Sequence, residues 1–520
     1  MQYKTPGVYI VEKDAFPNTV VEVPTAIPAF LGYTEKAQDG SVAKKYVPTY
    51  IESMADYVKV FGGPQAPVFT LAESTDKTHY TAALDAKHRF FLYYAVNLYF
   101  ANGGGPAYVV SVGTYADAIA NDKSPKDFTP DPDPKNPNMV APFDALRKVL
   151  DVTLIVAPDT VLLASVDDCY GVWAAALGHC NTMQSRMALI DIFGGDQPRT
   201  HNADTDVISG AKAGFREKIG TDFLNYGTAY YPWVNFNVVN ESGITYNNLD
   251  AASLTTLAAA LNQELALATP QPPAPLKEKM TALFKQLAQV DMATASDSDK
   301  ASVARNHNQL LSVSALYKRA VNDMLQQANQ MPPCGAMAGV YARVDANEGV
   351  FKAPANTSIN LAVSPVVDIT AEDQEDLNMP LDGRAVNAIR NIPGRGLVVW
   401  GARTLDGNSG DWRYINVRRT LIMLEQSIKA AATTYVFAPN DASTWVAVKS
   451  MIYNFLLNQW KDGALQGAKP DDAFSVSVGL GATMTGEDIL QGIMRVTILV
   501  AIVHPAEFIE LTFQQQMAVS

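Results

Sequence analysis

Near the end of the chain Ile509, Leu511 and Phe513 alternate with Glu510, Thr512 and Gln514, a period of two with which a β-strand sorts apolar from polar side chains. Such a strand cannot stand alone. Its unpaired backbone groups and its apolar stripe both need a sheet to join, in this chain or in another. His504-Pro505 comes just before it. Proline gives up a ladder hydrogen bond and keeps its predecessor extended, so the strand is expected to swing away from what precedes it. The opposite end repeats the arrangement. Pro6-Gly7-Val8-Tyr9-Ile10-Val11-Glu12 is rich in strand formers and is followed by Pro17, Pro24 and Pro28. Both ends read as strands on tethers, with residues 11–23 and 503–507, and the prolines Pro17, Pro24 and Pro505, as hinge candidates.

Strands on tethers have two physical outcomes. They fold back as edge strands of their own domain, or they complete a neighbour's sheet, with Val8, Tyr9, Ile10 and Val11 at one end and Phe508, Ile509, Leu511 and Phe513 at the other. Periodicity does not choose between them. In the second case about six ladder hydrogen bonds at about 1 kcal/mol net each, with apolar burial at roughly 25 cal/mol per Å², make a strong link. A donated end is a head-to-tail contact, which closes a ring or propagates a helix.

Between the ends, strand-like runs at 107–112 and 152–156 alternate with helical text such as 80–100, which predicts α/β layering. Two proline-rich stretches, 124–138 and 270–275, read as exposed loops. Residues 251–330 are dominated by Ala, Leu, Gln and Lys at helical spacing and predict a small helical subdomain. Val417, Leu421, Leu424 and Ile428 mark an amphipathic helix, and Trp445, Val448, Ile452, Phe455, Leu456 and Gln459 a second, with Gly463 just beyond its end. Phe474, Val476 and Val478 alternate with polar or small residues as in a half-buried strand, and residues 495–503 predict a more fully buried one.

With 520 residues the chain exceeds the size at which one core keeps growing, so two or more domains are expected. Its 53 acidic and 40 basic residues leave a formal charge of −13 without a long basic run, which argues against nucleic acid as a ligand. Cys169, Cys180 and Cys334 form no Cys-x-x-Cys pair and read as reduced and buried. The start of the chain lacks a basic segment followed by an apolar core, so no secretory signal is expected. The apolar run 496–503 is far shorter than the roughly 20 residues of a membrane-spanning helix, so no direct membrane insertion is expected.

No Gly-x-x-x-x-Gly-Lys-Ser/Thr loop occurs, and Gly103-Gly104-Gly105-Pro106 reads as a turn between helix and strand. The six histidines are scattered, His179 beside Cys180 reads as buried and structural, and no spacing suits zinc. Glu372, Asp373, Glu375 and Asp376 lack the turn and distal Glu of a calcium loop and read as a solvated loop or a helix start. No catalytic residue, metal site or cofactor is expected.

The opening Thr5-Pro6-Gly7-Val8-Tyr9-Ile10-Val11-Glu12, with the apolar segment 27–33 after it, resembles the N-terminal signature of the tail sheath proteins of contractile phages and related extracellular injection particles. Asn391-Ile392-Pro393-Gly394-Arg395-Gly396, Val399-Trp400-Gly401-Ala402-Arg403-Thr404, Trp412-Arg413-Tyr414-Ile415-Asn416-Val417-Arg418-Arg419 and Phe437-Ala438-Pro439-Asn440 resemble the same family's C-terminal domain. The middle of the chain carries no such resemblance.

The resemblance implies a multidomain α/β and α+β fold. Residues 335–503 are then an inner α/β sheath domain whose small mixed sheet is completed by terminal strands of neighbouring subunits. Residues 1–26 and 504–520 are the exchanged arms, and 27–334 a variable outer region that includes the helical insertion. It also implies a homo-oligomeric helical sheath of stacked six-fold rings around an inner tube protein, with baseplate and terminator or cap proteins as partners. Such a sheath is assembled in the bacterial cytoplasm, belongs to a virion tail or extracellular particle, and contracts to drive the tube through a target envelope. Arg418, Arg419 and Lys429 are the implied tube contacts, against the plain alternative of a solvated charged face. A type VI secretion-like sheath and an α/β enzyme with a helical insertion are the competing readings.

Overall fold

The computed structural model describes residues 20–74, 80–130, 141–292 and 294–510. The expected strand residues Val8, Tyr9, Ile10, Val11, Leu511 and Phe513, and the hinge candidate Pro17, lie outside the described residues.

The short apolar runs become strands of one eight-stranded sheet, in the order Gly396–Trp400, Asn387–Ile392, Gly227–Tyr231, Met187–Asp191, Leu154–Val156, Pro28–Thr34, Ala107–Thr114, Thr49–Ile51. The six inner strands run parallel, and an antiparallel strand closes each edge. Parallel sheets need cover on both faces. Accordingly every residue of Pro28–Thr34, Leu154–Val156, Met187–Asp191 and Gly227–Tyr231 is buried. Helix Cys334–Glu348 packs on helix Leu92–Ala101 closely enough that a Cβ at Gly339 would lie 2.4 Å from the carbonyl oxygen of Tyr99. Gly103, Gly104, Gly105 and Pro106 form the turn from that helix into strand Ala107–Thr114, with Gly103 at a φ of 98°.

The helical subdomain forms from Ala251–Leu267, Ala274–Lys285, Asp297–Val313 and Ala315–Ala328, around Leu257, Leu261, Leu310 and Met324. It also recruits an earlier part of the chain. Residues 80–84, expected to be helical, pair instead with Phe69–Glu73 as a hairpin, a single 3-10 turn follows at Ala86–His88, and α-helix begins only at Leu92. Phe69, Leu71 and Ala82 join the subdomain core, and Gln327 Nε2 donates to the Ala82 carbonyl. Tertiary partners here override a run that local spacing assigns to helix.

By internal packing the chain divides into two units. Pro24–Arg419 is the larger, and the described residues 20–23 and 420–510 belong to the smaller. A boundary at 335 does not describe this division, because strand Asn387–Ile392 is inserted beside Gly227–Tyr231 in the large sheet and holds its surroundings in the larger unit. Helix Ile415–Ala432 carries the chain across, the division falling between Arg419 and Thr420.

Candidate assembly interface

The smaller unit is built on helix Ala442–Lys461, which Asp441 caps by accepting from the Thr444 N–H and which ends before Gly463, at a φ of 91°. Its buried stripe of Val448, Ile452, Phe455 and Leu456 follows the expected spacing. Phe474–Val478 and Val496–Val500 pair antiparallel, from Phe474 opposite Val500 to Val478 opposite Val496. Phe474 and Val476 are buried, and Phe474 meets the Tyr453 ring at 5.1 Å. The second strand is not the fully buried one expected, since Val496, Ile498 and Val500 are half-buried and Leu499 is exposed.

The half-burial has a geometric cause. An open groove of about 440 Å³ lies beside this strand, lined by Leu424, Ile428, Val448 and Ile452 from the two long helices and by Val496, Ile498 and Val500. Among the described residues, this sheet has only two strands. Two strands are marginal without further partners, and among the described residues the groove and the sheet edges leave an apolar layer open.

Beyond the sheet the chain pairs briefly, through Leu465 opposite Ile502, and then runs without regular structure through Pro505 to Phe508 and Ile509, both exposed. At the other end Val23 N–H donates to Ser427 Oγ at 3.0 Å and Gln459 Nε2 donates to Glu22. Pro24, the hinge candidate, is the first residue of the larger unit.

The charged face expected on helix Ile415–Ala432 divides. Lys429 is exposed at the groove. Arg418 and Arg419 are buried at 4% exposure each, which removes them from an outward-facing surface in this subunit. The Arg418 guanidinium lies 4.2 Å from the Tyr226 ring centre and 4.7 Å from that of Trp412, and Arg419 pairs with Asp345. Arginine stems and planar heads are well suited to such burial, and helical periodicity alone does not tell a buried stacked arginine from a solvated one.

Groups that attract a chemical reading have structural partners. His179 Nε2 lies 3.1 Å from Arg186 Nη1, and burial together with that cation pushes its pKa down to about 3. Cys180 is buried and pushed up to about 12, mainly by desolvation. The acidic run 372–376 starts helix Ala371–Asn378, where Asp373 forms a capping box with Thr370 and Asp376 pairs with Arg199 and Arg216. Among the described residues no group of His, Cys, Asp or Glu could hold a metal ion, and no helix is long and apolar enough to cross a membrane.

The phage tail sheath C-terminal domain matches residues 408–516, and the phage tail sheath protein central domain matches residues 285–405. The tail sheath protein of Salmonella phage ViI is 30% identical over 146 residues, 27% of this chain and 22% of that protein. That of Burkholderia phage BcepMu is 28% identical over 158 residues, 29% of this chain and 32% of that protein. Among solved structures, the contracted helical sheath of the anti-feeding prophage covers 99% of this chain and 100% of its own, at 27% identity and a TM-score of 0.57. A chain of the six-fold symmetrised baseplate of the same prophage aligns equally fully, at 26% identity and a TM-score of 0.56. Residues 285–405 and 408–516 therefore carry the central and C-terminal domains of the phage tail sheath family, and the chain shares its fold with a contractile sheath subunit.

The two matched sheath domains meet between residues 405 and 408, in the loop that leads into helix Ile415–Ala432. The likeness to sheath structures also covers the middle of the sheath chain, where motifs alone show none.

Proposed function

We propose that this chain is the subunit of a contractile sheath, which polymerises by terminal strand exchange around an inner tube and contracts to drive that tube through a target envelope. The observation that carries the proposal is the two-stranded sheet beside its open apolar groove, with Phe508 and Ile509 exposed on the chain that leads away from it. A neighbour's strand would extend the ladder and cover apolar area that the described residues leave to water. In this reading Val8 to Val11 and Phe508 to Phe513 are the donated strands, and Pro17, Pro24 and Pro505 let the tethers change direction as subunit spacing changes. Lys429 is the remaining candidate for touching the tube.

The family and its solved relatives support a homo-oligomeric helical assembly with a baseplate, in a virion tail or a tail-like particle. Stacked six-fold rings, a terminator protein and assembly in the bacterial cytoplasm belong to the proposal. So does a purely mechanical role, with energy stored in assembly instead of drawn from catalysis.

Negative-stain electron microscopy of the full-length protein beside a variant ending at Glu507 tests it. Tubes or rings from the first and dispersed, folded subunits from the second are expected. Identical monomers from both at high concentration, with or without tube protein, would overturn strand donation.

A further inference from the structure

The chain passes between the two units twice, at Val23–Pro24 and at Arg419–Thr420. Within the larger unit both passages begin at the same few atoms. Arg419 Nη1 donates to Asp345 Oδ1 at 2.8 Å, and Nη2 donates both to Asp345 Oδ2 at 2.5 Å and to the Thr25 carbonyl at 2.8 Å. The Thr25 hydroxyl donates in turn to Asp345 Oδ2 at 2.5 Å. Residues 394 positions apart are thereby joined through one carboxylate and one guanidinium.

The arrangement is rooted in the core. Asp345 follows Tyr341 by four residues on helix Cys334–Glu348, so both present to the same side, and the Arg419 guanidinium lies 4.7 Å from the Tyr341 ring centre. The Tyr341 hydroxyl meets that of Tyr230, on a central strand of the large sheet, at 2.7 Å. The Arg419 and Asp345 side chains are 4% and 8% exposed. Burial disfavours the arginine charge most, but the Asp345 carboxylate together with Tyr341 and Tyr230 outweighs it and holds the guanidinium above its ordinary range.

A buried ion pair is a poor device for stability alone, because two ions lose their water and an apolar pair of similar volume often serves as well. What apolar side chains do not supply is directional bonding to the backbone and hydroxyl at one crossing by the residue at which the helix of the other leaves the larger unit. We propose that Asp345 and Arg419 are a shared anchor that holds together, on the larger unit, the origins of both inter-unit crossings: the extended segment before Thr25 and the helix that continues beyond Arg419. The use of this anchor during contraction rests on the sheath reading; the anchoring itself does not.

Hydrogen–deuterium exchange on the full-length protein tests it with two variants, Asp345→Asn and the volume-matched double change Asp345→Leu with Arg419→Met. In the double variant, a melting transition close to wild type is expected together with exchange about tenfold faster at amides of both 20–27 and 416–424. Unchanged protection at both linkers in the folded double variant, or faster exchange at only one, overturns the shared anchor. Loss of protection throughout the chain in both variants also overturns it, by making the pair an ordinary core element. Because exchange is read on the subunit before assembly, failure to form tubes leaves this result standing, and faster linker exchange does not rescue the sheath reading.

Discussion

In the large sheet six strands run parallel, four of them buried at every residue, and an antiparallel strand closes each edge, whereas among the described residues the sheet of the smaller unit has two strands, alternating burial and a groove along one side. Both are covered by helices, so helix packing is not what separates them. The large sheet meets its backbone and apolar needs within the chain. Among the described residues the small one leaves part of each unmet, and Phe437 of the same unit is fully exposed at a φ of 70° that a bulky residue seldom adopts. A region finished within the subunit should resist change through its own stability, while one finished by neighbours should register change in assembly.

A buried charge breaks or confirms that contrast most sharply. Ile190→Asp places a carboxylate in a fully buried strand and is expected to abolish folding, at a cost beyond about 4 kcal/mol. Ile498→Asp makes the same change beside the groove, where water already reaches. There the isolated subunit is expected to lose only about 1 kcal/mol in urea melts, while tube formation disappears. Equal destabilisation by the two substitutions would remove the distinction between the sheets.

A second, intermediate effect belongs to the large sheet alone. Asp191 is fully buried and accepts the Cys334 N–H at 2.9 Å, and desolvation pushes its carboxyl up to about 7 against the opposing pull of the Cys334 bonds. A carboxyl with a raised folded-state pKa adds stability that is fully present below its unfolded value and is lost as pH rises through the folded one. Thermal stability is therefore expected to fall between about pH 4 and about pH 7. Asp191→Asn keeps an acceptor for Cys334 and should flatten that slope while raising the melting temperature at neutral pH. A slope that survives the substitution assigns the titration elsewhere.

The smallest expected effect concerns Lys429. Lys429→Ala should shift subunit stability by less than about 0.5 kcal/mol, as exposed substitutions commonly do, yet weaken binding of purified subunits to preassembled tubes in co-sedimentation. Unchanged co-sedimentation would return Lys429 to a plain solvated role.

Much of this was legible in local spacing. The helices Ile415–Ala432 and Ala442–Lys461, the strand Phe474–Val478, the helical subdomain and the glycine turn before Ala107 all follow from side-chain periodicity and caps, which are properties of neighbouring residues. The motifs of both ends and of the C-terminal third were sufficient for the family resemblance. Tertiary structure decided what depends on distant partners: residues 80–84 became a strand because Phe69–Glu73 pairs with them, and residues 387–400 joined the large sheet because strand Gly227–Tyr231 accepts them. It likewise turned Arg418 and Arg419 inward, onto Tyr226, Trp412 and Asp345. Periodicity reports which side of an element is apolar; only the folded chain determines what that side meets, and whether an arginine off the stripe finds water or a buried carboxylate.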